Sequence, residues 1–122
     1  QVSANQIEIS LAVSAPMFNG QLDHSMTHNI LPMAWAPLGG LMVEKSVPHA
    51  LGLAFKKLCK KYETTTDSLL LAWLLVHPSC IHPVIGTTQI TRQQAAVDAC
   101  SIHIEVEDWF YLLAAFRGYD IP

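Results

Sequence analysis

The chain is short of charge, of cysteine and of long apolar runs, and each shortage removes a class of protein. Only 14% of the residues are charged against 51% hydrophobic, which excludes a disordered chain and implies extensive burial. Seven Lys and Arg are interspersed with ten Asp and Glu for a net charge of −3, so the basic footprint of a nucleic-acid binder is missing. The longest apolar run, Leu69 to Val76, falls far below the roughly 20 residues of a membrane span. The start, Gln1-Val2-Ser3-Ala4-Asn5, has neither a basic stretch nor an apolar core of the kind a secretory signal carries. Three cysteines, Cys59, Cys80 and Cys100, are an odd number at wide spacings and read as reduced thiols, not a disulfide framework. A cytoplasmic protein is expected on these grounds.

What is present is the material of one α/β domain; 122 residues suit a single domain, with no repeat and no linker. Gln6 to Leu11 alternates as a strand should, and Pro32-Met33-Ala34-Trp35-Ala36 is a second short apolar strand closed by Pro37-Leu38-Gly39-Gly40. Between them lie a loop at Pro16 to Gly20 and a short helix from Leu22 to His28. From Pro48 to Tyr62, Leu51, Ala54, Phe55 and Leu58 recur at helical spacing, opposite Lys56, Lys57, Lys60 and Lys61. Thr64-Thr65-Thr66-Asp67 caps a third helix that is apolar almost all round and ends at Pro78. A strand Pro83–Ile85, a helix Thr91–Ala99 and a last helix Val106–Arg117 stopped by Gly118 complete the order. Short apolar strands that are never joined by hairpin turns should be parallel and covered by helices. Three such strands cannot bury both faces of a sheet, so the pattern points to part of a larger α/β fold. The chain begins at Gln1 without a methionine and enters a strand within five residues, as a cut or truncated product would.

The stretch His82-Pro83-Val84-Ile85-Gly86-Thr87-Thr88-Gln89-Ile90-Thr91-Arg92 carries the clearest chemistry. A strand ends in a glycine, two hydroxyls follow, and a helix opens with an arginine in its first turn, an arrangement that favours an anion. The arginine adds a planar, permanently charged fork suited to phosphate. The same order also begins an ordinary capped helix, and taken alone these residues leave both readings open. His77, Cys80 and His82 lie close together, but Pro78 and Pro83 bracket them and no second cluster completes a four-ligand metal site. Glu105, Glu107 and Asp108 are ordinary helix-start charges and not a catalytic pair.

Five segments together resemble the aldo-keto reductases, and within them the bacterial YdhF-like oxidoreductases. They are Asn5 to Ser10, Pro32 to Gly40, Leu71 to Pro78, Val84 to Arg92, and Asp108-Trp109-Phe110 through Gly118 to Pro122. They occur in the family's order and spacing across essentially the whole chain. The resemblance implies the C-terminal portion of a (β/α)₈ TIM barrel, with about three parallel strands and their helices, incomplete as a barrel and part of a single oxidoreductase domain spanning residues 1–122. Ligands would then lie beyond the C-terminal ends of the strands.

The same resemblance implies NADP(H) as cofactor and a small carbonyl compound as substrate. Gln6 would pair with the nicotinamide carboxamide and Trp35 would stack on the ring. Ala36, where a small hydroxyl residue is common, would keep backbone contacts only. Leu38 and Gly39 would lie against the pyrophosphate and its ribose. Gly86, Thr87, Thr88, Gln89 and Arg92 would clamp the adenosine 2′-phosphate, with Gln89 near a place that many relatives fill with lysine. The family reaction is hydride transfer to an aldehyde or ketone, with proton donation by a tyrosine tuned by lysine and aspartate and aided by a histidine. None of that tetrad maps onto this chain; Tyr62, Tyr111 and Tyr119 do not match its motif. The 122-residue chain is therefore expected to reduce no carbonyl on its own. The alternative is a partial barrel without catalysis that keeps a remnant cofactor site or serves as an interaction module, with self-association through its open edges.

Overall fold

The computed structural model of the chain describes residues 3–85 and 90–118. The elements run β1 (Ser3–Glu8), α1 (Gln21–Thr27), β2 (Ile30–Trp35), α2 (His49–Lys61), α3 (Thr66–Leu75), β3 (His82–Pro83), α4 (Ile90–Ala99) and α5 (Val106–Arg117), with 3₁₀ turns at Ala15–Met17 and Glu44–Ser46. The strands form one parallel sheet in the order β1-β2-β3. Ile7 stands opposite Ala34, and Ala34 opposite Pro83.

Strand alternation divides this sheet into a covered and an open face. Ile7 and Ala34 are buried and belong to the core that the helices complete. Gln6, Glu8 and Trp35 fall on the other face and are exposed. Gln6 therefore does not sit among buried neighbours, as a strand built for burial would have placed it: among the described residues nothing covers the open face, and β1 is an edge strand.

Both outer strands differ from the sequence expectation at their ends. β1 closes at Glu8 because its partner β2 ends at Trp35 in register with it. Ser10 then captures the Val13 amide, its carbonyl at 3.1 Å and its hydroxyl at 3.0 Å, and turns the chain. Ile9 and Leu11 stay buried although they are no longer in a strand. β3 covers His82–Pro83 instead of Pro83–Ile85. Pro83 has no N–H to donate, and the ladder ends with the Val84 amide on the Ala34 carbonyl at 2.8 Å.

The helices follow their sequence pattern closely. α2 buries Leu51, Ala54, Phe55 and Leu58, and α3 is buried continuously from Ser68 to Leu74. α5 ends at Gly118, left-handed at φ 80°, whose amide reaches the Ala114 carbonyl at 2.7 Å. Trp73 and Trp109 stack with ring centroids 4.4 Å apart and 5° between planes. Each indole N–H donates to the other's backbone carbonyl, at 3.0 and 2.8 Å, so the pair bolts α3 to α5 without leaving a buried donor unpaired.

Candidate functional site

The C-terminal ends of β2 and β3 open onto a cavity of about 260 Å³ lined by Ala36, Pro37, Leu38, Gly39, Gly40, Asp67, Leu71, Val84, Ile85 and Arg92. The chain leaves β2 through a series of tight turns, Gly39 N–H to the Ala36 carbonyl and Leu41 N–H to the Leu38 carbonyl, each 3.0 Å. Gly39 and Gly40 have φ of +61° and +73°, and Ala36 takes the same left-handed region at +49°. Such strain on a non-glycine residue costs on the order of 1–2 kcal/mol, and Asn29, Glu63 and Cys80 carry it too, at turns that do not line this cavity. The Leu41 side chain is buried and anchors the far end of the loop.

Gly39 is also a packing requirement. A Cβ placed there would overlap the Ser10 hydroxyl, which is itself fully buried, whereas a Cβ on Gly40 would meet nothing within 4 Å. The loop after β1 and the loop after β2 are therefore in contact through Ser10 and Gly39, and the cavity wall is set by both.

Arg92 enters from α4 and Asp67 from the first turn of α3. The α3 start was expected to be capped by its threonines. The structure instead shows no side-chain cap from Thr65, whose hydroxyl donates to Asp67 Oδ1, and that same oxygen accepts the Ser68 amide at 3.0 Å. Sequence reasoning read Asp67 only as part of a cap and missed it as a cavity residue. The available signal was topological: a helix returning from a parallel strand starts at the rim where that strand ends.

Of the residues singled out from sequence, the structure gathers Ala36, Leu38, Gly39 and Arg92 in this cavity. Trp35 stands next to it at the end of β2, with 47% of its surface exposed, so it is not a core tryptophan. Gln6 shares the open sheet face with Trp35, two register positions further back. Gly86, Thr87, Thr88 and Gln89 lie outside the described residues.

A second polar cluster joins α2 to α5. Lys61 Nζ donates to Asp108 Oδ2 at 2.7 Å, the Tyr62 hydroxyl donates to the same oxygen, and the Glu105 amide donates to the Tyr62 oxygen at 2.9 Å. Burial, then the bond to Asp108, push the Tyr62 phenol up, the wrong direction for an acid catalyst at neutral pH. Burial also works to raise the Asp108 carboxyl, but the Lys61 and Tyr62 hydrogen bonds outweigh it and hold the carboxyl below its ordinary 3.8. These contacts tie two helices together. Near the turn before β3, His77 Nδ1 lies 2.7 Å from the Ser79 hydroxyl and His82 Nδ1 lies 2.8 Å from the Cys80 carbonyl. Cys59, Cys80 and Cys100 are free thiols. Among the described residues, no helix is long and apolar enough to cross a membrane.

A parallel sheet covered on one face by helices, with its cavity at the C-terminal strand ends, is the architecture of part of a (β/α)₈ barrel. The chain belongs to the aldo/keto reductase family, whose pattern matches residues 1–115. It is 32% identical over 117 residues to the 6-dehydroglucose reductase of Agrobacterium fabrum, an alignment covering 96% of this chain and 39% of that protein. It is 30% identical over 123 residues to the oxidoreductase YdhF of Escherichia coli, covering 99% of this chain and 41% of that one. In fold it matches the crystal structure of an aldo/keto reductase from Klebsiella pneumoniae in complex with NADP and acetate, with a TM-score of 0.76 at 23% identity, over 98% of this chain and 40% of that one. The chain thus spans about two fifths of the length of the relatives it matches. Its three parallel strands and covering helices are the C-terminal portion of a (β/α)₈ barrel, incomplete as a barrel.

Proposed function

We propose that residues 1–122 form the C-terminal part of a single oxidoreductase domain and supply the NADP(H)-holding side of a carbonyl-reducing enzyme. One observation carries this reading: a single cavity at the C-terminal ends of parallel strands brings the strained Ala36, Leu38, Gly39 and the cation of Arg92 together. Relatives in this family include a sugar-derivative reductase and a protein crystallised with NADP.

The residues present suit a dinucleotide. The Gly39 and Leu41 amides are taken up within the turn, so the group offered to phosphate oxygens is the planar guanidinium of Arg92, a residue that lines the cavity. Trp35 offers a flat exposed aromatic face beside the cavity, and Gln6 an amide that both donates and accepts, on the same open sheet face. Ala36 contributes backbone only. Gly86, Thr87, Thr88 and Gln89, between β3 and α4, complete the phosphate clamp in this reading. When bound, the nicotinamide supplies hydride; the chain's own residues bind and orient it. No tyrosine of the chain is assigned the proton-donating role, so this chain alone is expected to reduce no aldehyde, and NADPH-dependent reduction by it would overturn that assignment.

The binding claim is tested by titrating NADPH and NADH while following nicotinamide fluorescence. NADPH is expected to bind more tightly, and Arg92→Ala to remove that preference. A charge-assisted hydrogen bond of about 1.5–3 kcal/mol corresponds to roughly a 10- to 150-fold loss in NADPH affinity. Equal affinities for the two dinucleotides in the unaltered protein refute the clamp.

A further inference from the structure

The chain has three asparagines, Asn5, Asn19 and Asn29, and only Asn19 is followed by a glycine. Asn5 lies inside β1 with Gln6 after it, and Asn29 precedes the β-branched Ile30 that opens β2. Asn19 and Gly20 instead form an exposed link between the 3₁₀ turn Ala15–Met17 and α1. Gly20 takes a left-handed φ of +92°, and a Cβ built there would meet nothing within 4 Å, so the surroundings of the link are open. The Gly20 carbonyl accepts the His24 amide at 2.9 Å, but the Gly20 N–H reaches no acceptor among the described residues. On the Asn19 side chain, Oδ1 accepts the Gln21 amide at 3.0 Å, while Nδ2 has no partner among the described residues.

An asparagine side chain can react with the peptide nitrogen that follows it, and two things usually prevent this. The nitrogen is tied into a helix or strand ladder, or the next side chain crowds the approach; neither hindrance is present at Gly20. The Gln21 bond is the one restraint on the side-chain carbonyl. On an exposed residue it is worth about 0.5–1.5 kcal/mol, which slows the reaction by roughly tenfold at most. We propose that Asn19 is a site of spontaneous covalent modification, its amide becoming a carboxylate through a cyclic imide formed with Gly20. The Gly20 nitrogen gives up its proton to hydroxide and bonds to Asn19 Cγ, the Cγ–Nδ2 bond breaks, and ammonia leaves. Water then opens the ring. Cleavage of the new Cγ–N bond gives an ordinary aspartate. Cleavage at the main-chain carbonyl carbon gives isoaspartate, with the chain running through Cγ. No oxidant or reductant enters. Either product adds one negative charge to the connection between β1 and α1, and isoaspartate also lengthens the backbone just ahead of the buried Leu22.

The test is to incubate the chain at mildly alkaline pH, folded and in guanidinium chloride, with circular dichroism confirming each state. Peptide mapping by mass spectrometry follows the three asparagines, and an isoaspartyl methyltransferase assay reads the isoaspartate. In the folded chain, aspartate and isoaspartate should accumulate at Asn19 at a rate within roughly tenfold of the unfolded chain, while Asn5 and Asn29 react only when unfolded. Asn19→Gln, whose longer side chain needs a larger ring, should form no product, and it leaves Gly20 and its left-handed backbone untouched. An unmodified Asn19 in the folded chain, a rate there suppressed by more than roughly tenfold, or equal reaction at Asn29 overturns the proposal.

Discussion

Two neighbouring glycines, Gly39 and Gly40, separate backbone strain from steric packing at the rim of the cavity. Both have positive φ, +61° and +73°, so an alanine at either carries a left-handed penalty of about 1–2 kcal/mol. Only at Gly39 does the new methyl group collide, with the buried Ser10 hydroxyl, and it also comes within 3.1 Å of Ala12 Cβ. Forcing a methyl into packed surroundings costs a further 1–3 kcal/mol or so. Gly39→Ala should therefore be less stable than Gly40→Ala by about 1–3 kcal/mol. With a urea slope near 1–1.5 kcal/mol/M, that separates the unfolding midpoints by roughly 0.7–3 M. Adding Ser10→Ala removes the hydroxyl but not the neighbouring carbons, so the double variant should regain part of the loss and no more. Equal midpoints for Gly39→Ala and Gly40→Ala would show that the contact between the two strand-end loops is not as tight as the structure has it.

Trp73→Phe keeps a ring in the stack but removes the indole N–H that binds the Trp109 carbonyl and leaves a gap beside it, and should cost about 1–3 kcal/mol in chemical denaturation. A loss below half a kcal/mol would contradict the paired indole bonds. Acid should weaken the α2–α5 joint. Because the folded Asp108 carboxyl titrates below its ordinary 3.8, its contribution is complete above that pH and disappears as pH falls through the lowered folded value. Asp108→Asn should flatten the stability-against-pH curve below pH 4 while leaving its slope near neutrality unchanged, which a thermal-melt series across pH 2–7 reads directly. Ser68→Ala should loosen α3 from α4 and weaken NADPH binding together with stability, since its buried hydroxyl holds both cavity walls; undiminished affinity in that variant counts against a rigid cavity.

The helices were legible in the sequence because their evidence is local. Leu51, Ala54, Phe55 and Leu58 mark one face of α2 by spacing alone, and Gly118 marks the end of α5 by its tolerance of left-handed backbone. Strand ends were less legible, since they depend on the partner. β1 stops where β2 stops, and Ile9 and Leu11 keep an alternating pattern that tertiary burial, not a strand, explains. The exposure of Gln6 was not legible either, because the cover of a sheet face is not written in the strand itself.

At the site, the sequence by itself determined the materials: a Pro-Leu-Gly-Gly turn after one parallel strand, an arginine in the first turn of a helix after another, and a five-segment pattern that marks the family. Tertiary structure decided what faces what. It set Gly39 against Ser10, brought Arg92 and Asp67 to the lining of one cavity, and tied α3 to α4 through a hydrogen bond between Ser68 and Ala95. Residue types and turn chemistry act over a few positions and can be read from the chain. That two residues 25 positions apart line one cavity is decided only once two helices have packed.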